Sequence, residues 1–376
     1  MALVSEMSEG KTIMERTRIG IIGCGMISDT YLAAARRFPM LEVVGCADLN
    51  TALAEEKGRK HGVKAVTVEA LLSDSSIELV VNLTPPKAHS AVDKAILNAG
   101  KHAYSEKPLG VDLADAEEVL RLAEERHLAF GCAPDTFMGG GQQTARKLID
   151  DGCIGKPIAG LAIDMSRGPE TWIHAPSFYD VGAGPMLDIG PYFVTCLVNL
   201  LGPIESVTAV TGKGAATRVG GPDTVPHVYP VNVDTHQTGV LKFVNGTLVT
   251  MVQSFEVHAH THAPLEIYGS EGSIALPNPN IFGGPVKVFR PDQGNEWREM
   301  ALSHGYCENS RSVGVADMVM ALREKRPHRA SGALAYHVLE VMLAVCESSR
   351  QGRAVEIKSR CERPAPLPLG LRDGEI

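Results

Sequence analysis

A chain of 376 residues, 44% of them hydrophobic and with a formal charge of −8, has apolar content for two cores of ordinary domain size, and its acidic balance argues against nucleic acid or an anionic membrane surface as a partner. Its eight cysteines stand singly with no Cys-x-x-Cys pair, which fits the reduced thiols of a cytoplasmic protein better than a disulfide framework or a zinc site. No apolar run is long enough to span a bilayer, and residues 1–16 read as a mobile N-terminal tail rather than a signal peptide.

From Arg18 the pattern alternates strand and helix. Strands are expected at Arg18 to Ile22, Glu42 to Ala47, Glu78 to Leu83, Lys101 to Tyr104 and Leu128 to Cys132. Helices are expected at Ile27 to Phe38, Thr51 to Lys60, His89 to Asn98 and Leu113 to Glu125. Such alternation predicts a parallel sheet covered on both faces, a Rossmann domain over residues 17–137.

Beyond residue 137 the pattern changes. A helix at Gln142 to Asp150 is followed by longer alternating strands at Ile158 to Ser166, Ile204 to Thr211, His236 to Phe243, Thr247 to Val257, Ala263 to Gly269, Gly272 to Ala275 and Val286 to Arg290. Hairpin-type turns at Asn245-Gly246 and Ser270-Glu271 predict mostly antiparallel pairing. Helices are expected at Met186 to Leu201, Val313 to Glu324 and Leu334 to Arg350, with Gly212 to Pro230 as a surface loop. Residues 138–376 thus predict an α+β domain built on a large open sheet.

Gly23-Cys24-Gly25-Met26-Ile27-Ser28 follows the first strand and opens the first helix, the context that a dinucleotide turn requires. Gly23 permits the tight turn and Gly25 lets the backbone approach a pyrophosphate, where free N–H groups and the helix dipole favour anions. Met26 and Ile27 belong to the same contact surface, and Ser28 is a small residue where a third glycine is common. Asp48, 25 positions after Gly23, ends the second strand where a carboxylate accepts hydrogen bonds from ribose hydroxyls. Neither the adjacent Leu49 nor Asn50 supplies an arginine for a 2′-phosphate, so NAD is expected rather than NADP.

Two further segments carry candidate chemistry. Glu106-Lys107-Pro108 follows the strand expected at Lys101 to Tyr104; read alone it is a surface turn. A lysine doing acid/base work needs its pKa lowered from about 10.4 by burial or by a nearby positive charge. Asp188-x-Gly190-x-Tyr192 opens an apolar helix, and its i, i+4 spacing predicts that both side chains share one face.

Together these segments resemble the Gfo/Idh/MocA family of pyridine-nucleotide oxidoreductases, over nearly the whole span from Arg18 to Ile357. The resemblance implies that Lys107 contacts the reacting hydroxyl and the nicotinamide. It also implies that Tyr192, standing where many members carry histidine, is the proton-transfer partner, as in the branch containing glucose–fructose oxidoreductase and dihydrodiol dehydrogenases. Asp188 would then orient them or the substrate. Asn82-Leu-Thr84-Pro85-Pro86-Lys-Ala-His89 resembles the family's loop by the nicotinamide ribose, with Pro86 where asparagine is usual. Thr84, Pro85, His89 and Glu106 are accordingly expected at the cofactor. Ala133 to Phe137 also departs from the commoner Asn-Tyr-Arg-Phe segment.

Trp172 and His174 precede the Asp188 helix and offer an aromatic platform with a polar neighbour, suited to a sugar ring with an apolar C–H face. A buried core tryptophan is the alternative. His258-x-His260-x-His262 shares one face of an expected strand but lacks nearby carboxylates or thiolates, and hydride transfer needs no metal. No metal is expected.

The expected function is NAD-dependent oxidoreduction at a secondary hydroxyl of a sugar, polyol or glycoside, by a homodimer or homotetramer formed through the C-terminal sheet. A second reading keeps the same hydride site but recycles NAD: some relatives oxidise a glycoside at its C3 carbon, eliminate the aglycone, add water and reduce again, a net hydrolysis. A third is a non-catalytic NAD-binding sensor, against which Lys107, Asp188 and Tyr192 argue.

Overall fold

The computed structural model describes residues 15–376, so residues 1–14 of the expected tail lie outside the described residues. The first domain runs β1 (Thr17–Ile22), α1 (Met26–Ala35), β2 (Leu41–Ala47), α2 (Thr51–His61), β3 (Lys64–Ala65), α3 (Val68–Ser73), β4 (Leu79–Asn82), α4 (His89–Asn98), β5 (His102–Ser105), α5 (Leu113–Glu125) and β6 (Phe130–Cys132). Its six strands are parallel in the order β3-β2-β1-β4-β5-β6. All four residues of β4 are buried, as expected for a strand covered on both faces. Helix ends follow local chemistry: Asp112 caps α5 by accepting from Ala114 N and Asp115 N, and α2 stops at Gly62 in the left-handed region. The chain reverses direction across the sheet between β1 and β4. A crevice opens there at the C-terminal ends of the strands, bordered by the turn at Gly23 and the loop after Asn82.

The second part runs α6 (Gly140–Asp150), β7 (Pro157–Met165), α7 (Ala175–Phe178), α8 (Pro185–Asp188), α9 (Gly190–Leu201), β8 (Ile204–Gly212), β9 (Thr217–Val219), β10 (Val228–Pro230), β11 (His236–Phe243), β12 (Leu248–Ser254), β13 (Leu265–Gly269), β14 (Ser273–Leu276), β15 (Val286–Phe289), β16 (Arg298–Met300), α10 (Val313–Glu324), α11 (Gly332–Gln351) and β17 (Val355–Glu356). Nine strands form one sheet, β16-β15-β14-β13-β7-β12-β11-β8-β17, antiparallel throughout except where β12 meets β7. One face, carrying Leu241, Phe243, Val249 and Met251, is buried; the opposite face leaves Val210, Val240 and Leu248 exposed. Helices α10 and α11 return to pack against β6 of the first domain, so the chain's last third braces both parts. No helix among the described residues is long and apolar enough to cross a membrane.

Three expectations need correction. The segment 212–230 is not a plain loop: β9 and β10 pair across it as a small antiparallel ribbon, too short for periodicity to reveal. Strand β12 ends at Ser254, so His258, His260 and His262 lie in an irregular, exposed segment rather than on a strand face. The helix expected from Met186 to Leu201 is two helices, with Ile189 between them. Pro191 lacks the N–H that a continuous helix would send back to Leu187.

Candidate active site

At the nucleotide end the glycines divide their roles. Gly23 has φ of +101°, and a Cβ there would stand 2.5 Å from the Leu83 carbonyl carbon, so only glycine fits. A Cβ at Gly25 would meet no protein atom within 4 Å. Gly25 is open to the crevice, just where α1 begins without a side-chain cap and with unpaired N–H groups. Met26 beside it is 68% exposed, Ile27 is half-buried, and Ser28 is fully buried with its hydroxyl donating to Gly25 O. These residues fit a dinucleotide whose pyrophosphate lies over the turn.

Asp48 tightens that turn. Its Oδ2 accepts from Cys24 N at 2.7 Å and its Oδ1 from Asn50 N at 2.8 Å, which leaves one lone pair on each oxygen for ribose hydroxyls. Leu49 is almost fully exposed.

At the other end of the crevice, Asn82 shapes the loop after β4. Its Oδ1 accepts from the Thr84 backbone N–H and hydroxyl, while its amide donates to His89 O and Asp93 Oδ1. Thr84 is half-buried and Pro85 exposed at the crevice. His89 is engaged by the protein itself. It is buried, with Nδ1 2.7 Å from Pro108 O and Nε2 2.7 Å from Thr84 O, so both ring nitrogens join the two loops and none faces a ligand. Burial pushes its pKa down, against the pull of the two carbonyls. Glu106 is engaged in the same way: its carboxylate is buried, accepting from the Tyr31 hydroxyl and from Lys107 N, both at 2.8 Å.

Lys107 is the centre of the site. Nζ donates to Asp188 Oδ1 at 2.9 Å and to Asp188 O at 2.7 Å. The helix break explains the second bond: Tyr192 N, which would cap Asp188 O in a continuous helix, donates to Ile189 O instead. Asp188 and Tyr192 therefore meet through the lysine rather than along one helix face, with Nζ 5.0 Å from the Tyr192 ring centroid. Burial opposes the ammonium charge, but Asp188, Tyr192 and Glu106 outweigh it and hold the Lys107 pKa above its ordinary value. The protein's own field therefore favours Lys107 as a cation and hydrogen-bond donor.

A pocket of about 200 Å³ opens beside this cluster, walled by Pro85, Pro86, Lys107, Phe178, Leu187 and Asp188. Trp172 does not line it. The indole packs edge-on against Phe178, with centroids 5.4 Å apart, and remains half exposed. His174 is exposed, and its carbonyl accepts from the Ser177 hydroxyl, so it too stands off the wall.

Sequence reasoning passed over two charged residues. Arg311, in the turn before α10, reaches within 3.5 Å of the Tyr192 hydroxyl; its 119-residue separation from Tyr192 left no local signal. Asp164, on β7, has its pKa raised by burial and by the charge of Asp188.

Comparison with known proteins agrees with this fold. Residues 17–133 match the oxidoreductase family with an NAD-binding Rossmann fold, and residues 142–275 match the GFO/IDH/MocA C-terminal domain. The dTDP-3,4-didehydro-2,6-dideoxy-alpha-D-glucose 3-reductase of Streptomyces violaceoruber is 31% identical over 77% of this chain and 82% of its own. Levoglucosan dehydrogenase of Pseudarthrobacter phenanthrenivorans is 24% identical over 92% of this chain and 99% of its own. A solved levoglucosan dehydrogenase in complex with NADH superposes with a TM-score of 0.81 at 23% identity, covering 92% of this chain and all of that one.

Proposed function

Because the chain belongs to the Gfo/Idh/MocA family of NAD-binding oxidoreductases, we propose that it is an NAD-dependent dehydrogenase acting on a secondary hydroxyl of a sugar, polyol or glycoside, or reducing the corresponding ketone. The observation that carries the reading is the cluster of Lys107, Asp188 and Tyr192, in which Lys107 and Asp188 also line a pocket beside Pro85 and Pro86 of the loop after β4. Gly23, Gly25, Met26, Ile27, Asp48 and Leu49 would hold the pyrophosphate and adenosine end of NAD, and Thr84, Pro85 and Lys107 its nicotinamide end. The bound cofactor supplies the acceptor for the carbinol hydride.

The protein's part is the proton and the geometry. The Lys107 ammonium donates to the reacting oxygen and stabilises the negative charge that grows on it. Asp188 fixes that ammonium through both its carboxylate and its carbonyl. Tyr192, as the phenolate, takes the hydroxyl proton as the carbonyl forms. Phe178 and Leu187 present an apolar wall to the C–H face of a sugar, with Trp172 bracing Phe178 from behind. Two relatives named for sugar substrates support the substrate class. The exposed Val210, Val240 and Leu248 on the outer sheet face support assembly of two or four copies there.

The test is a panel of sugars, polyols and glycosides with NAD, following nicotinamide absorbance and product release together. The proposal predicts NADH formation with at least one sugar or polyol. Free aglycone without NADH accumulation would point to the hydrolytic cycle instead, and cofactor binding with neither product to a sensor.

A further inference from the structure

Tyr192 has two cations near it. At its ring is the Lys107 ammonium, 5.0 Å from the centroid. At its hydroxyl is Arg311, whose Nη2 lies 3.5 Å from the phenol oxygen and donates to Asn280 Oδ1 at 3.0 Å, while Nη1 donates to Asn309 Oδ1 at 3.1 Å. Among the described residues no carboxylate closes an ion pair with Arg311; its three hydrogen-bond partners are neutral groups. Burial opposes its charge, but Tyr192, Asp135 and Tyr31 together hold it above its ordinary pKa.

The backbone around Arg311 is built to aim it. Ser312, the next residue, has φ of +87°, a left-handed conformation that a residue with a Cβ adopts at a cost. The buried Asp135 carboxylate holds it there, accepting from Ser312 N and Gly314 N at 3.0 Å each, and the Ser312 hydroxyl donates to Tyr31 O. A strained turn clamped from the first domain thus delivers one guanidinium to the hydroxyl of one buried tyrosine.

We infer that Arg311 is a positioning residue for proton transfer: it fixes the Tyr192 hydroxyl and, with Lys107, stabilises the phenolate that exists whenever the proton is elsewhere. The inference rests on the reading of Tyr192 as the proton-transfer group. The charged and titratable groups around the phenol are Lys107 from the β5 loop, Asp188 from α8 and Arg311 from the turn before α10, with Asp135 and Tyr31 behind Arg311; α9 itself carries no charged residue.

The experiment needs no substrate. The tyrosinate absorption of the full chain is titrated with pH, and the Tyr192→Phe curve is subtracted to isolate the Tyr192 step. The same subtraction is made in an Arg311→Gln background and in an Arg311→Lys background, with circular dichroism confirming the fold. Arg311→Gln is expected to move the step up by about one pH unit or more, and Arg311→Lys, which keeps the charge, to move it by less. A step at the same pH in the unmodified and Arg311→Gln proteins would overturn the inference, as would equal displacement by Gln and Lys. Full-rate hydride transfer by Tyr192→Phe alongside a displaced step would instead overturn the underlying reading, so the two failures are distinguishable.

Discussion

Lys107 donates to Asp188 twice, once to the carboxylate at 2.9 Å and once to the main-chain carbonyl at 2.7 Å. The second acceptor is available because Pro191 forces the helix to restart at Gly190, leaving Asp188 O without its helical partner. A break in local structure thus becomes a fixed point of the site, with the ammonium held by an anion and a carbonyl dipole at the pocket wall.

Lys107→Met should fold and bind NAD, because the carbonyl of Asp188 still has access to water through the pocket. Turnover should fall by at least about a hundredfold, the lower range for removing a proton-handling or oxyanion-stabilising group. Single-turnover hydride transfer is the measurement. A near-normal rate would return Glu106-Lys107-Pro108 to the role of a surface turn.

Gly25 and Gly23 should respond differently to a side chain. A Cβ at Gly25 meets no protein atom, so Gly25→Val should leave thermal stability nearly unchanged while weakening NAD binding by tenfold or more, about the effect of one lost close contact to the pyrophosphate. Gly23→Val would collide with the Leu83 backbone and should destabilise the domain itself. Thermal melts with and without NAD separate the two cases. Equal cofactor affinity in Gly25→Val would remove the pyrophosphate from the turn.

Asp48→Ala should narrow the preference for NAD over NADP, since it removes both a ribose acceptor and a charge that repels a 2′-phosphate. It also removes the bonds to Cys24 N and Asn50 N, so affinity for both cofactors should drop. Titration of each cofactor into the variant checks this. Tighter binding of NADP than NAD by the unmodified chain would refute the assignment.

Burial raises the Asp93 carboxyl to about 7, with Asn82 donating to one oxygen. The folded state therefore keeps a proton that the unfolded chain releases near pH 4, and this contribution to stability is full below about pH 4 and declines as pH rises toward 7. Asp93→Asn, neutral at every pH, should gain on the unmodified protein across that window. Denaturant titrations at a series of pH values test it; a stability gap constant with pH would show that Asp93 is already ionised in the fold.

Much of this was readable in the sequence. The helices His89–Asn98, Leu113–Glu125 and Val313–Glu324 and the strand His236–Phe243 lie where periodicity and turn chemistry place them, and Lys107, Asp188 and Tyr192 stand together. What escaped was set by tertiary contact. The two-residue strand Lys64–Ala65 exists only as an edge on β2 and carries no period of its own. The commitment of His89 to two carbonyls and of Glu106 to Tyr31 depends on loops brought together by the fold. Arg311 belongs to the site only because α10 returns to the first domain. The direct ion pair of Lys107 with Asp188 likewise depends on an 81-residue separation closed by the fold.

In the proposed reaction this cluster moves a proton while a carbinol hydride passes to NAD. The most direct measurement mixes the enzyme and NAD with a sugar that gives NADH in the panel, in protiated and carbinol-deuterated forms, and compares single-turnover rates for the unmodified chain and Tyr192→Phe. The account predicts NADH formation slowed by deuterium, and a Tyr192→Phe variant that binds NAD normally but reacts about a hundredfold or more slower. Unchanged rates in Tyr192→Phe, or no NADH from any sugar or polyol despite bound NAD, would contradict it.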